Sequence, residues 1–298
     1  MKFHGVIPAV ITPFVDSEGH KVDVEALEEL VEFLIAKGVH GLFPCGTMGE
    51  GILMTTEQRK LVTATVVRVA RGRVPVVPQV TTVNTEETGE LTRHPHEAGA
   101  TGASAIAPWF YPHEHAGLKS FFTAVATAVP EFPVYLYNNP GRSGAGVSLK
   151  LTQELAREHR NIVGMKDSSK DMILFQDYVD EVKPGFEVIV GTDGLVLPAL
   201  VLGGTGVVTA IGNPYPEPFV ALYNAFRSGD LTEARKQQQL ISKLRNVFKI
   251  GPYLAAYKVG IRGRGLRFNE CMRSPLAELS PTDREKFDKG LAACGLSY

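Results

Sequence analysis

Eight short apolar, β-branched runs recur along the chain with longer helix-patterned stretches between them. That alternation admits few folds, because strands joined by helical crossovers run parallel and are buried on both faces. The candidate strands are VIPAVITPF (6–14), GLFPCG (41–46), VPVVPQV (74–80), GASAIAP (102–108), PVYLYNN (133–139), IVGMKD (162–167), FEVIVGT (186–192) and GVVTAIG (206–212). Helix starts lie between them: Asp23 before VEALEELVEFLIAKG, Thr55 with Gln58 as a capping box, and Asn84 with Glu87. Pro95 should kink or shorten the helix that Asn84 begins. Eight βα units in 298 residues predict a (β/α)8 TIM barrel over residues 1–224. Helical patterns then continue as a C-terminal helical extension over 225–298.

With 44% hydrophobic and 21% charged residues, the chain can bury a large core and is too apolar for disorder. A net charge of -1 gives no general attraction to nucleic acid or membrane. Three scattered cysteines, Cys45, Cys271 and Cys294, form neither a disulfide framework nor a zinc spacing, and point to a reducing compartment. MKFHGVIPAVITPF reaches Pro8 and Pro13 before an apolar helix could form, unlike a signal peptide. The expected location is cytoplasmic. The uncharged run after Asp193, from Gly194 to Pro216, is long enough to suggest a membrane span, but Pro198, Gly203, Gly204 and Gly206 divide it into a buried helix, a turn and a strand.

In such barrels the working residues stand at the C-terminal ends of strands. Lys166 ends IVGMK after four uncharged residues. Aimed into an apolar barrel mouth, its ammonium would be desolvated, lowering its pKa and freeing the lone pair that attacks a ketone. Position alone also allows Lys166 simply to end its strand in solvent beside Asp167. Tyr137, on a neighbouring strand about 5 Å away, is suited to shuttle the protons of carbinolamine formation and dehydration. Tyr135 shares its face, so a packed core tyrosine fits the same pattern. CGTMGEG after the second strand is a glycine-rich turn whose amides could gather round a carboxylate, with the Thr47 hydroxyl as a further donor. It lacks the lysine and Ser/Thr of a P-loop.

TPF (12–14), GTMGE (46–50), YNNPGRSG (137–144), GMKDSS (164–169), GTDG (191–194) and GGTGVVT (203–209) occur in this order over nearly the whole chain. Together they resemble the dihydrodipicolinate synthase and N-acetylneuraminate lyase superfamily. The resemblance implies a barrel with a C-terminal helical segment, usually a homotetramer, acting on pyruvate or a related 2-oxo acid without metal or organic cofactor. It further implies that Lys166 is the Schiff-base lysine, Tyr137 the proton-shuttling tyrosine, and Thr47 the hydroxyl linking that tyrosine to substrate. Gly46, Thr47 and the Met48 amide would hold the 2-oxo acid carboxylate, and the Val208 carbonyl would face the lysine.

Departures from the family pattern bear on the second substrate. Met48 replaces a second hydroxyl residue of the turn. Phe110, in APWFYPH, stands where the synthases place a tyrosine that completes the relay from a neighbouring subunit, with Tyr111 beside it. Arg142 matches the synthase arginine that holds the second substrate's carboxylate, for which an arginine fork is well suited. Gly194 and Ala210 replace the lyase's polyol-reading glutamate and serine. These features favour a 2-oxo-3-deoxy sugar-acid aldolase, with 4-hydroxy-tetrahydrodipicolinate synthase as the alternative and a non-catalytic 2-oxo-acid-binding barrel as the rival from another class.

The pairs His94/His96 and His113/His115 lack the i, i+4 spacing of a helical metal site. RGRGLRF (262–268) is too short and isolated, in a near-neutral chain, to read as an RNA-binding string. GTDG and GGTG fit the barrel phosphate site in position, but no Lys or Arg stands among them, which leaves a phosphorylated substrate the lesser reading.

Overall fold

The structure, a computed structural model, describes residues 3–15 and 21–296. The outermost residues of both expected segments, 1–2 and 297–298, lie outside the described residues. Six parallel strands, β1 Gly5–Pro8, β2 Ala103–Ile106, β3 Val134–Asn138, β4 Ile162–Asp167, β5 Glu187–Val190 and β6 Gly206–Thr209, form one sheet in the order β1-β6-β5-β4-β3-β2.

Two further staves, residues 40–44 and 75–80, close the gap between β1 and β2. The Phe43 amide donates to the Pro8 carbonyl, Val77 to Leu42, Gln79 to Pro44, and Ser104 to Pro78. Only the bridges Leu42–Val76 and Gln79–Ser104 in these staves have regular parallel geometry. Pro44, Pro75 and Pro78 have no amide to donate, so the ladder is interrupted where the sequence predicts its second and third strands. The eightfold barrel is nonetheless closed.

Strand alternation divides the core. Leu136, Met165, Val188 and Val207 belong to the cluster shared with the surrounding helices. Their neighbours Tyr135, Tyr137, Ile189 and Val208 pack with Ile7, Phe43 and Val77 in the barrel interior.

The three helix starts form as the sequence predicts. Asp23 accepts from the Ala26 amide at 3.0 Å before helix Val24–Ala36, and Asn84 from the Glu87 amide at 2.9 Å before helix Thr85–Glu97. Thr55 and Gln58 exchange both bonds of the capping box, 3.2 and 3.1 Å, ahead of helix Thr56–Ala70. Thr55→Ala should therefore cost about 1 kcal/mol, read as a lower urea midpoint; an unmoved midpoint would show that the cap contributes nothing. Pro95 does not shorten its helix, which continues to Glu97. It falls in the last turn, where its missing amide leaves only the Leu91 carbonyl without its helical donor.

The uncharged run resolves into helix Val196–Val201, a turn with Gly203 at φ 91°, and β6. No helix among the described residues is long and apolar enough to cross a membrane. After β6 come helices Glu217–Ser228, Leu231–Val247, Ala255–Gly263 and Pro281–Ala293. The expected segment boundary at 224/225 falls inside the first of these, which ends at Gly229 in the left-handed region, φ 83°.

Candidate active site

Register brings the two central residues together: Tyr137 of β3 lies directly opposite Lys166 of β4. Alternation from the helix-facing Met165 turns Lys166 inward, where it is 6% exposed. Its Nζ lies 3.8 Å from the Tyr137 ring centroid and 4.1 Å from that of Phe43. Burial lowers the lysine's pKa, with Tyr137 and Asp193 opposing the shift. Burial alone would raise the Tyr137 phenol, but the adjacent Lys166, Asn139 and Ser168 outweigh it and hold the phenol below its usual range. The Asn139 side-chain amide donates to the Tyr137 hydroxyl at 3.0 Å. Tyr135 has a different task, donating to Glu187 at 2.6 Å. Space for the lysine comes from the end of β5: a Cβ on Gly191 would lie 2.0 Å from Ser168 Oγ and 3.2 Å from Lys166 Cε.

Above this pair opens a cavity of about 570 Å³, lined by Lys166, Tyr137, Thr47, Met48, Arg142 and Val208 together with residues the sequence did not single out. Gly46 lines the adjoining apolar pocket, which shares Thr47, Tyr137 and Arg142 with the cavity. All seven expected residues thus gather at one mouth. In the turn, the Gly49 and Gly51 amides both donate to the Gly46 carbonyl at 3.1 Å. The Thr47 and Met48 amides donate to no group of the described residues, which leaves two unengaged donors in the turn that lines the cavity. The expected link between Thr47 and Tyr137 is not closed by a hydrogen bond; the phenol's partner is Asn139.

The C-terminal extension holds this turn from behind. Glu50 sits in the left-handed region at φ 55°, and its carboxylate lies 2.6 Å from Lys258 Nζ, with both side chains essentially unexposed. The Arg273 amide donates to the other Glu50 oxygen at 2.8 Å, and Lys258 also donates to the Cys271 carbonyl at 2.7 Å. Tyr253 joins the same mouth, stacking under the Arg142 guanidinium at 4.4 Å and contacting Met48 sulfur at 3.8 Å. Among the described residues no carboxylate pairs with Arg142.

Asp193 is the principal residue the sequence reading passed over. It lines the cavity half-buried, its Oδ1 shut off from water without a partner. Burial pushes its carboxyl up to about 6, with Thr209, the Ile211 amide and Arg245 restraining the rise. Its signal lies in GTDG, a carboxylate between glycines just past a strand end. Asn139 in YNNP and Ser168 in KDSS were also visible as polar residues just past strand ends. Tyr253 and Arg245 had no local signal.

A closed eight-stave barrel with a desolvated lysine beside a phenol at its mouth defines a lyase of the class I aldolase type. The chain belongs to the dihydrodipicolinate synthetase family, whose sequence model matches residues 2–294. It is 37% identical over 294 residues, covering 98% of this chain and 100% of the relative, to a 4-hydroxy-tetrahydrodipicolinate synthase of Methanoculleus marisnigri. Identity is 36% over 293 residues, 98% of this chain and 94% of the relative, to an uncharacterized DapA-like lyase of Halobacterium salinarum. Among solved structures, the E. coli prophage protein YagE, crystallised with pyruvate, superposes with TM-score 0.94 at 31% identity over 99% of both chains. Dihydrodipicolinate synthase from Aquifex aeolicus gives 0.93 at 33% identity, again over 99% of both.

Proposed function

We propose that Lys166 forms a Schiff base with pyruvate or a related 2-oxo acid, and that the enzyme makes or breaks the bond between that carbon chain and an aldehyde. The observation that carries this is the buried Lys166 amine against the Tyr137 ring, in a cavity with two unengaged turn amides. The keto acid carboxylate rests on the Thr47 and Met48 amides. Lys166 attacks the ketone, and Tyr137 returns protons as water leaves; the enamine then adds to the aldehyde, or forms when the bond is cleaved. A homo-oligomer and a cytoplasmic location belong to the same reading.

For the aldehyde, the geometry favours a 2-oxo-3-deoxy sugar acid as the condensed product. Phe110 has no hydroxyl for a relay and stands 83% exposed at φ 86°, while Asp193 brings a carboxyl group to the cavity lining that suits a substrate hydroxyl. The names of the relatives back the second reading, 4-hydroxy-tetrahydrodipicolinate synthase, and the unpaired Arg142 supports it by offering a fork to a carboxylated aldehyde.

Wild type, Arg142→Ala and Phe110→Tyr, each assayed with glyceraldehyde and with aspartate semialdehyde, separate the two. The sugar-acid reading expects glyceraldehyde to be the better wild-type partner. Arg142→Ala should weaken use of the carboxylated aldehyde by roughly 2 to 4 kcal/mol and leave glyceraldehyde much less affected. Efficient wild-type turnover of aspartate semialdehyde would establish the synthase instead. Equal losses on both aldehydes would show Arg142 supporting its loop.

A further inference from the structure

Beyond Arg142, the cavity is lined by three further cations that neither second-substrate reading uses. Lys170 follows β4, and Arg245 and Lys249 come from the end of helix Leu231–Val247 and the residues just beyond it; all three line the cavity with Arg142. Asp193 is the one acidic residue in that lining. Among the described residues, no carboxylate lies within ion-pair distance of these four cations, so their charge around the cavity is not offset by a salt bridge. Cations at a helix C-terminus are ordinary, since the last carbonyls favour them. That explains Arg245 and Lys249 singly, but not their meeting Lys170 and Arg142 around one concave space, where like charges repel unless an anion enters.

Gly194 leaves the flank of Arg245 open. A Cβ built there would meet Arg245 at 3.6 Å from Cδ, 3.8 Å from Nε and 3.9 Å from Nη1. Arg245 therefore runs alongside Gly194, next to the cavity-lining Asp193. Going outward from Lys166, a bound chain would meet Asp193, suited to a hydroxyl, and then the cationic rim, suited to an anion.

We propose that Arg245, Lys249 and Lys170 form a distal subsite for a phosphoryl group, so that the preferred aldehyde is a phosphorylated hydroxyaldehyde and the condensed product a phosphorylated sugar acid. A phosphoryl group carries close to two charges and three acceptor oxygens, which suits an arginine and two lysines better than a single carboxylate does. The sequence undervalued this because GTDG and GGTG contain no cation; the cations arrive from the extension and from the loop after β4. The inference rests on Lys166 being the Schiff-base lysine.

The test compares wild type, the double variant Arg245→Gln/Lys249→Gln, and Gly194→Glu, which sets a carboxylate against Arg245. With pyruvate saturating, wild type should prefer glyceraldehyde 3-phosphate to glyceraldehyde by about tenfold or more in kcat/KM, the scale of one or two charge-assisted contacts, and both variants should bring that ratio towards one. Glycerol 3-phosphate has no carbonyl, so its binding in titration calorimetry is independent of Schiff-base chemistry; its Kd should rise by about tenfold in both variants. Equal wild-type use of the two aldehydes, a preference that survives the double variant, or glycerol 3-phosphate binding indifferent to Arg245 would overturn the subsite. An Arg245-dependent preference for aspartate semialdehyde over glyceraldehyde 3-phosphate would also overturn it, reassigning the rim to a carboxylate. Failure to trap pyruvate on Lys166 with borohydride would remove the underlying reading, a result distinct from all of these.

Discussion

Borohydride reduction in the presence of pyruvate should add one pyruvyl group to the wild-type chain at Lys166, and Lys166→Ala should lose both the adduct and all measurable turnover. No other amine at the mouth can replace it. Lys170 and Lys249 are exposed at the rim, away from the apolar floor, while Lys258, though buried, has its nitrogen engaged by Glu50 and the Cys271 carbonyl. Because burial lowers the Lys166 pKa, its neutral form is present at lower pH than for an ordinary lysine, near 10.4. The rate of trapping against pH should accordingly inflect below that value. Labelling at a different lysine would defeat the assignment, and pyruvate binding with no adduct would establish the non-catalytic barrel.

Tyr137→Phe should lower turnover by about a hundredfold or more, the scale of a lost general acid-base group. The substitution keeps the ring beside Lys166 and the buried volume, so it deletes only the hydroxyl and the acceptor for Asn139. Trapped pyruvate should still form, more slowly, since the amine and the turn amides remain. Unchanged turnover would mean that Tyr137 is only packing. A collapse of the fold would show as a urea midpoint lowered far beyond the small shift expected from the loss of one partly buried hydrogen bond, worth about 1 kcal/mol.

Much of the fold was legible because its signals are local. Capping residues, strand-length apolar runs and helical periodicity specify elements within a dozen residues, and Asp23, Thr55 and Asn84 act as their sequence says. What escaped depends on register and on distant packing. Strand parity put Tyr135 and Tyr137 on one face without choosing between them; the pairing of Tyr137 with Lys166, and of Tyr135 with Glu187, makes the choice. Pro44, Pro75 and Pro78 were visible, but their effect on two staves shows only when donors are traced to acceptors. Asp193 stands in a glycine-rich string, and its burial depends on the Thr209–Ile211 segment packing against it. Arg245 and Tyr253 sit in helical or loop sequence with nothing local to reveal that the extension folds back over the barrel mouth.

That return of the extension bears on how such a chain can be divided or recombined. Lys258 pairs with Glu50 at the end of the Gly46–Glu50 turn, Tyr253 stacks on Arg142, and Arg245 stands on the cavity wall. A chain stopping at residue 224 would keep Lys166 and Tyr137 but leave Glu50 without its countercharge, an imbalance of about 3–5 kcal/mol where a buried pair loses one partner. The barrel and its tail therefore do not behave as interchangeable modules. A graft from a related barrel would have to bring its own lysine for the turn, and with it would come that donor's preference for the far end of the substrate, so structural repair and specificity would be inherited together.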